Sequence, residues 1–273
     1  VKKKSAAGGP LKLATWNVNS VRRMAPTIER LVAEESPDIL CLQETKVENG
    51  QFPRELFERL GYPHVEIHGQ KMHHGVAIAS RMPLGNATRT VWTGKDDCRH
   101  IGVELPGGIE LHNFYVPAGG DIPDPKLNPK FDHKLRFVDE MIAWSKKRAA
   151  KANRTIMLGD LNIAPLATDV WSHKQLLKVV SHTPVETEAM ERLRTSGKWV
   201  DVLRHFVPAE QNIYTWWSYR SPDWAAADKG RRLDHVWVTP PLQEALISAH
   251  VRKDYRGAEV ASDHAPMIVT LKP

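Results

Sequence analysis

Carboxylate, amide and imidazole side chains recur at the ends of apolar runs along the whole chain: Asn17 and Asn19 in TWNVNS, Glu44 in LQETK, Asp160 and Asn162 in GDLN, Asp234 and His235 in RRLDH, Asp263 and His264 in SDH. Gathered together they would make an acidic pocket that repels itself. Such a set must bind a hard divalent cation, take up protons or stay dispersed, because ionised carboxylates sharing a buried site oppose one another's charge. Strand periodicity narrows the combinations. Side chains two apart on a strand share a face, so Asn17 and Asn19 are expected to look into one site, and so are Asp160 and Asn162 at the rim of the run TIML. Either pair alone is also what an ordinary strand-end turn contains, since Asn and Asp are frequent there. Glu44 follows the apolar run DILCLQ, where a carboxylate leaving a buried strand suits a hard metal or simply begins a loop. Asp234 and His235 are adjacent and must point to opposite faces of a strand, so Asp234 needs another imidazole. His264 is the leading candidate, with Asp234 on one ring nitrogen fixing the tautomer and favouring the charged ring.

The elements that would carry these groups read as mixed α and β. From Leu11 the order is the strand LKLATWNV, a helix near 21–34, the strand DILCLQ, a short helix near 53–60, and the β-rich segments HVEIH, GVAIAS, IGVEL and IELHNFYV. The Pro- and Gly-rich segment PAGGDIPDPKLNP is long enough to be a functional loop, and leads to a helix near 132–150 and the apolar strand TIMLGDLN. Helices near 169–179 and 187–195 then precede YTWWSY, RLDHVWV, LISAHVRKD and PMIVTL, all expected to be strands. Neither a Gly/Ser linker nor a repeat of solenoid period divides the chain. The expected fold class is therefore α/β, a four-layer sandwich of two packed mixed sheets flanked by helices. Residues 1–10 read as a flexible basic tail and 11–273 as one domain.

With 273 residues, 41% of them hydrophobic and 26% charged, the chain can bury a substantial core. The net charge of +6 and pI of about 9.3 suit a polyanionic partner, although solubility alone accounts for a modest excess. A basic whole around an acidic motif set is more telling, because phosphate chemistry needs cations around the site and metal-binding carboxylates within it. Cys41, inside ILCL, reads as a buried thiol, and with Cys98 it makes neither a CxxC motif nor a secreted disulfide framework. The first residues carry no apolar signal region and no run approaches membrane-spanning length, so no membrane partner and a cytoplasmic location are expected. HExxH, Walker-type and GxSxG motifs are absent, which removes weight from zinc proteases, P-loop enzymes and serine hydrolases. The neighbours His73 and His74 lack a recognisable ligand spacing and read as surface or packing residues.

TWNVNSVR, DILCLQETK, HHGVAI, NFYVPAGG, IMLGDLNIAP, YTWWSYR, GRRLDHVWV and SDHAP occur in the order found in the exonuclease III family of abasic-site endonucleases. The chain resembles that family, part of the endonuclease/exonuclease/phosphatase superfamily, from about Leu11 to Leu271. Each motif is weak alone; their ordered ensemble is specific. The resemblance implies a Mg²⁺- or Mn²⁺-dependent DNA repair nuclease that cuts 5′ to abasic sites in duplex DNA and processes damaged or recessed 3′ ends. It implies that Glu44 is the principal metal ligand, with Asn17 and Asp263 close to the ion, and that Asp160, held by Asn162, orients and deprotonates the attacking water. His264, paired with Asp234, and Tyr115 in NFYVP would stabilise a phosphate oxygen; without the resemblance Tyr115 reads as a core residue. On the substrate side fall Asn19, Leu233 and Trp216, the last as a wall for a flipped deoxyribose, with Trp217 in the core. Arg231 stands where some relatives carry an aromatic or aliphatic residue, which leaves the pocket shape open. Lys71, Arg99, Arg220 and Lys229 are phosphate contacts or simple surface charge, and contacts of that kind carry little sequence specificity. A superfamily phosphatase or sphingomyelinase would use nearly the same machinery, but the basic charge and the YVPAGG and TWW segments argue against it. A DNA-binding protein with a dead site is disfavoured by the retained carboxylates and His264. A monomer is expected, since nothing demands an oligomer.

Overall fold

The computed structural model describes residues 9–149 and 153–273. The strands in chain order are β1 (Leu11–Asn17), β2 (Ile39–Gln43), β3 (His64–His68), β4 (Val76–Ser80), β5 (Gly85–Thr88), β6 (His100–Leu105), β7 (Ile109–Tyr115), β8 (Thr155–Asp160), β9 (Val200–Asp201), β10 (Trp216–Trp217), β11 (Gly230–Arg231), β12 (Asp234–Val238), β13 (Leu246–Val251) and β14 (Met267–Leu271). The helices are α1 (Ala25–Glu35), α2 (Arg54–Arg59), α3 (Pro129–Ala149), α4 (His173–Leu176), α5 (Pro184–Ser196), α6 (Val202–Phe206) and α7 (Trp224–Ala227). One six-stranded sheet runs β13-β14-β1-β2-β4-β3 and the other β5-β6-β7-β8-β12-β9, with β10 and β11 as a separate pair.

Alternation along the strands builds the layers. Leu11, Leu13, Ile39, Cys41, Val76 and Val269 of the first sheet meet Ile109, Leu111, Ile156, Leu158, Val236 and Val238 of the second in one inter-sheet core. The alternate side chains of the first sheet, among them Ala14 and Trp16, pack outward with Ile28 and Leu31 of α1 and Phe57 of α2. Phe114, Met157 and Trp237 pack outward with Phe137 and Met141 of α3 and Leu193 of α5. Burial of each large aliphatic side chain is worth roughly 1.5–3 kcal/mol, against roughly 0–1 kcal/mol for an exposed ion pair, so these interfaces hold the expected four-layer sandwich together.

The inward faces also deliver the polar groups. β1 runs parallel to β2 and β7 parallel to β8, so Asn17, Glu44, Tyr115 and Asp160 all emerge at carboxyl ends. β12 is antiparallel to β8 with Asp234 opposite Asp160, and β14 is antiparallel to β1, which returns the segment before it to the same end. Between this end and the apolar core lies a buried polar layer in which Gln43 Nε2 donates to Asn113 Oδ1 (2.8 Å) and Thr15 Oγ1 (3.0 Å). Gly159, one residue before Asp160, has φ +131°, and a Cβ there would lie 2.0 Å from the Phe114 carbonyl oxygen, so only glycine fits.

Some boundaries differ from expectation. The helix expected near 169–179 forms only in pieces, a 3-10 turn over Ala167–Asp169 and α4, because the Asp169 carboxylate is bonded to Arg232 and the Leu166 amide, and Val170 bridges to Arg231. β5 escaped notice because all four of its residues are exposed and carry no alternation. The helix expected from residue 21 begins at Ala25, with Pro26 in its first turn. Both cysteines are free and buried. Among the described residues no helix is long and apolar enough to cross a membrane. The expected tail lies, up to residue 8, outside the described residues.

Candidate active site

Asp160 ends β8 on the inward face and accepts three hydrogen bonds, which leaves one lone pair on Oδ1. Its Oδ1 accepts from the Asn162 amide (2.9 Å), and its Oδ2 accepts from Asn17 Nδ2 (2.9 Å) and Asn162 Nδ2 (3.2 Å). Asn17 Nδ2 also donates to Glu44 Oε1 (2.9 Å), so one amide ties two carboxylates together. The pairing of Asp160 with Asn162 does not arise from strand alternation, which corrects the expectation: Asn162 lies past the strand with φ +55°, and its approach is that of a turn. Asn19 departs in the same way, with φ +46°; its amide donates to Asn17 Oδ1 (3.1 Å) and its side chain is engaged by Lys46. Glu44 and Lys46 also have positive φ, a left-handed conformation costing about 1–3 kcal/mol apiece for residues other than glycine, and such strain concentrates where geometry serves a site.

His264 Nδ1 lies 2.8 Å from Asp234 Oδ2, and Nε2 lies 3.7 Å from Asp160 Oδ2. His235 points away, with Nε2 on the Ile163 carbonyl (2.8 Å), as strand parity requires. The His264 ring is fixed from behind: Trp16 Nε1 donates to its carbonyl (2.8 Å), and Ser262 Oγ accepts from its amide (3.2 Å) while donating to the Asn17 carbonyl (2.6 Å). Burial works against the ring charge, but Asp234 and Asp160 outweigh it and hold the imidazole well above its ordinary value. Burial pushes the Asp160 carboxyl up, with Asp234 and Glu44 adding to the effect and His264 and Asn17 opposing it. Burial also acts to raise Glu44, but Asn17 and Lys46 outweigh it and hold the group low.

Tyr115 ends β7 facing the same space, and burial, then Glu44 and Asp160, keep its phenol protonated as a donor. Arg99 lies against the ring, 4.9 Å from its centroid, and donates to the Tyr115 carbonyl (3.3 Å). Its other nitrogens engage Asp97 and His74, and the side chain is buried. The expectation that Arg99 touches DNA phosphate is thereby corrected; its contacts brace Tyr115.

Glu44, Tyr115, Asp160, Asn162 and His264 line an open cavity of about 730 Å³ together with Asp263, Trp216, Leu233, Arg220, Lys229 and Arg231, while Asn17 and Asp234 stand behind the lining. Trp216 Nε1 donates to Asp263 Oδ2 (2.9 Å), and the Arg231 guanidinium sits 5.2 Å from the Trp216 ring centre while donating to the Val180 carbonyl (3.1 Å) and Ser181 Oγ (2.9 Å). Trp217 is buried, as expected, with one edge reaching the cavity. Lys71 is exposed between β3 and β4 and is outside the lining.

Three cavity features escaped the sequence. Trp171, whose ring lies 4.7 Å from Lys229 Nζ, sits in the segment misread as a helix. Tyr219, in the run YTWWSY, lines the cavity and donates to the Ala261 carbonyl (2.9 Å). Lys134 and Glu186 form a fully buried pair under the lining, where Lys134 Nζ also donates to the Asn162 carbonyl (2.7 Å). A signal for Lys134 was present: it falls between Phe131 and Phe137 at three-residue spacing, a lysine on the apolar stripe of a helix.

A hard divalent cation fits the Glu44 side of the cavity. The Glu44 carboxylate keeps 20% of its side-chain surface, is held in its charged form, and already attracts the Lys46 ammonium at 2.9 Å. Asp160, Asp234 and His264 also bring ligand atoms within 4.8 Å of one another. Because His264 Nδ1 is committed to Asp234 and the charged ring has a proton on each nitrogen, that trio is an imidazolium held between two carboxylates and not a ligand set.

The model of a family described as the endonuclease/exonuclease/phosphatase family matches residues 14–264. Exodeoxyribonuclease III of Haemophilus influenzae is 31% identical over 273 aligned residues, covering 96% of this chain and all of the relative. An AP endonuclease structure from Archaeoglobus fulgidus superposes with a TM-score of 0.89 at 34% identity, covering 96% of this chain and 100% of that one. A 3′ phosphatase from Neisseria, bound to a product DNA hairpin, does so with a TM-score of 0.87 at 30% identity, over 96% and 99% of the two chains.

Proposed function

The chain belongs to the endonuclease/exonuclease/phosphatase family, and on that premise we propose that it is a metal-dependent DNA repair nuclease of exonuclease III type, acting through one domain over 11–273. Its substrates are abasic sites in duplex DNA, cut on the 5′ side, and 3′ ends that carry a phosphate or are recessed. The observation that carries this reading is the facing of Asp160, fixed by Asn17 and Asn162, with His264, fixed by Asp234, across one cavity with aromatic walls and a basic rim.

Phosphodiester hydrolysis needs a water aligned opposite the leaving oxygen and donors for the charge that builds on the phosphoryl oxygens. Asp160 orients that water and accepts its proton, its remaining lone pairs being occupied by Asn17 and Asn162 so that the acceptor direction is fixed. His264 Nε2–H and the Tyr115 hydroxyl donate to the phosphoryl oxygen, and Asp234 keeps the ring in its donating, charged form. Mg²⁺ or Mn²⁺ at Glu44, near Asn17 and Asp263, would supply positive charge to the phosphoryl and leaving 3′ oxygens. Trp216 and Leu233 wall the space for an extruded deoxyribose, Arg231 narrows it from above Trp216, and Asn19 stands at its edge. Arg220, Lys229 and Lys71 are exposed cations for the flanking phosphates.

The test is a side-by-side rate comparison, with and without Mg²⁺, on duplexes bearing an abasic analogue, a recessed 3′-hydroxyl and a 3′-phosphate, with a soluble inositol phosphate as a fourth substrate. Mg²⁺-dependent turnover of at least one duplex, well above the inositol phosphate, is expected. Turnover of the inositol phosphate alone would replace the reading with that of a small-molecule phosphatase.

A further inference from the structure

Away from the cavity, His68 at the end of β3 and Asp96 and Cys98 in the segment before β6 bring a ring nitrogen, a carboxylate oxygen and Sγ within 4.8 Å of one another. The mechanism above uses none of the three. His68 Nδ1 lies 3.1 Å from the His100 carbonyl, which can only accept, so Nδ1 carries the proton and the Nε2 lone pair faces outward. That lone pair points at Asp96 Oδ1, 3.1 Å away. Two acceptors face each other, an arrangement that requires either a second proton on the ring or a cation held by both. A backbone carbonyl on the far ring nitrogen is the partner that metal-binding imidazoles keep, because it fixes the tautomer and the ring orientation. A tetrahedral zinc with bonds of about 2.0–2.1 Å to nitrogen and oxygen implies a ligand N···O edge of about 3.3 Å, close to that observed. Cys98 is buried and forms no disulfide, whereas the Asp96 side chain is 67% exposed and leaves a way in from solvent and room for a water as fourth ligand.

We propose that His68, Asp96 and Cys98 form a second metal site, for a borderline-soft divalent cation of the Zn²⁺ class and not for Mg²⁺. Thiolate and imidazole donors select such ions, while a site built on the Glu44 carboxylate selects hard ones. On binding, the Cys98 thiol releases its proton to solvent as the sulfur–metal bond forms, with no change of oxidation state. The ion would tie the end of β3 to the segment carrying Cys98, whose carbonyl accepts from the Gly75 amide (3.2 Å) and whose next residue, Arg99, lies against Tyr115. The site is structural and steadies the backing of a cavity-lining donor.

The test uses the full chain, stripped with a chelator and titrated with Co²⁺ in excess Mg²⁺. One equivalent is expected to produce a near-ultraviolet thiolate-to-cobalt charge-transfer band that Zn²⁺ displaces; the Glu44 site offers no sulfur and cannot give it. C98S should abolish the band, and D96N, at an exposed position where folding is not at stake, should weaken Co²⁺ binding by about tenfold or more. Zn²⁺ should raise the melting temperature of the parent protein and not that of D96N. A titration without the band, or one that C98S and D96N leave unchanged, would show a plain His68–Asp96 ion pair and overturn the proposal.

Discussion

Asp160 is the residue on which the hydrolytic reading turns, because every donor around it fixes its direction and none replaces its basicity. Asp160→Asn keeps the shape and removes the base; kcat on the preferred duplex should fall by at least ~10²-fold, and a fall of only a few-fold would end its assignment to water activation. Glu44→Ala should act differently, raising the Mg²⁺ concentration for half-maximal activity by about tenfold or more, on the scale of losing a ligand or its support. An unmoved Mg²⁺ titration would take Glu44 out of the metal site. The Asp234–His264 pair adds a pH signature. Since Asp234 and Asp160 hold the His264 ring above its ordinary value, the charged ring stabilises the fold fully below the unfolded value near 6.5, and that contribution is lost as pH rises through the folded one. Asp234→Asn removes the main charge that raises it, so the alkaline limb of the pH–rate profile should move to lower pH; a limb that stays put means that another group sets it. This pair was legible in the sequence because Asp234 and His235 sit inside a regular strand, where parity is strict. Asn19 and Asn162 were given the right neighbourhood for the wrong reason. Both lie just beyond the strand ends at positive φ, where alternation no longer governs direction.

At the scale of elements, apolar alternation located the long strands, and what it could not see were segments shaped by buried polar commitments. The stretch around Asp169 reads as helical, yet its carboxylate accepts from Arg232 and Arg204 at the end of a single 3-10 turn, after which Val170 is extended, a break that local propensity does not contain. Lys134 of α3 and Glu186 of α5 are the second such case. Glu186 accepts from the Ser181 and Thr183 amides, and Lys134 donates to the Asn162 carbonyl, so the pair joins two helices to the turn after β8. Lys134→Ala would strand the Glu186 charge in the interior, and a loss of about 3–5 kcal/mol in urea unfolding is expected. The double variant Lys134→Met with Glu186→Leu should recover part of that loss, because two matched apolar groups leave no uncompensated charge. If the single variant costs less than about 1 kcal/mol, the pair is not the tie between these elements.

The molecule as a whole carries a net charge of +6 and places cations at its surface, which suits a polyanionic substrate, and the convergence of its dispersed motifs follows from topology. Parallel β1–β2 and β7–β8 pairs direct their carboxyl ends to one edge, and the antiparallel neighbours β12 and β14 begin there, which no spacing in the linear sequence encodes. Affinity on such a surface comes from counterion release and falls with salt by about 0.9 log units per log unit of salt for each phosphate neutralised. Lys71, Arg220 and Lys229 are exposed, so three phosphate contacts would give a slope of about −2.7. Lys229→Ala should then flatten the slope by about 0.9 and weaken abasic and intact duplexes alike, since a phosphate contact carries no information about the damage. Leu233→Ala, in the cavity wall, should leave the slope unchanged and reduce the preference for the abasic duplex. Measuring both variants by fluorescence anisotropy across a salt series separates the two layers of recognition: a flat salt dependence in the parent protein would remove the backbone argument, and loss of abasic preference in Lys229→Ala would mean that the rim and the cavity do not act independently.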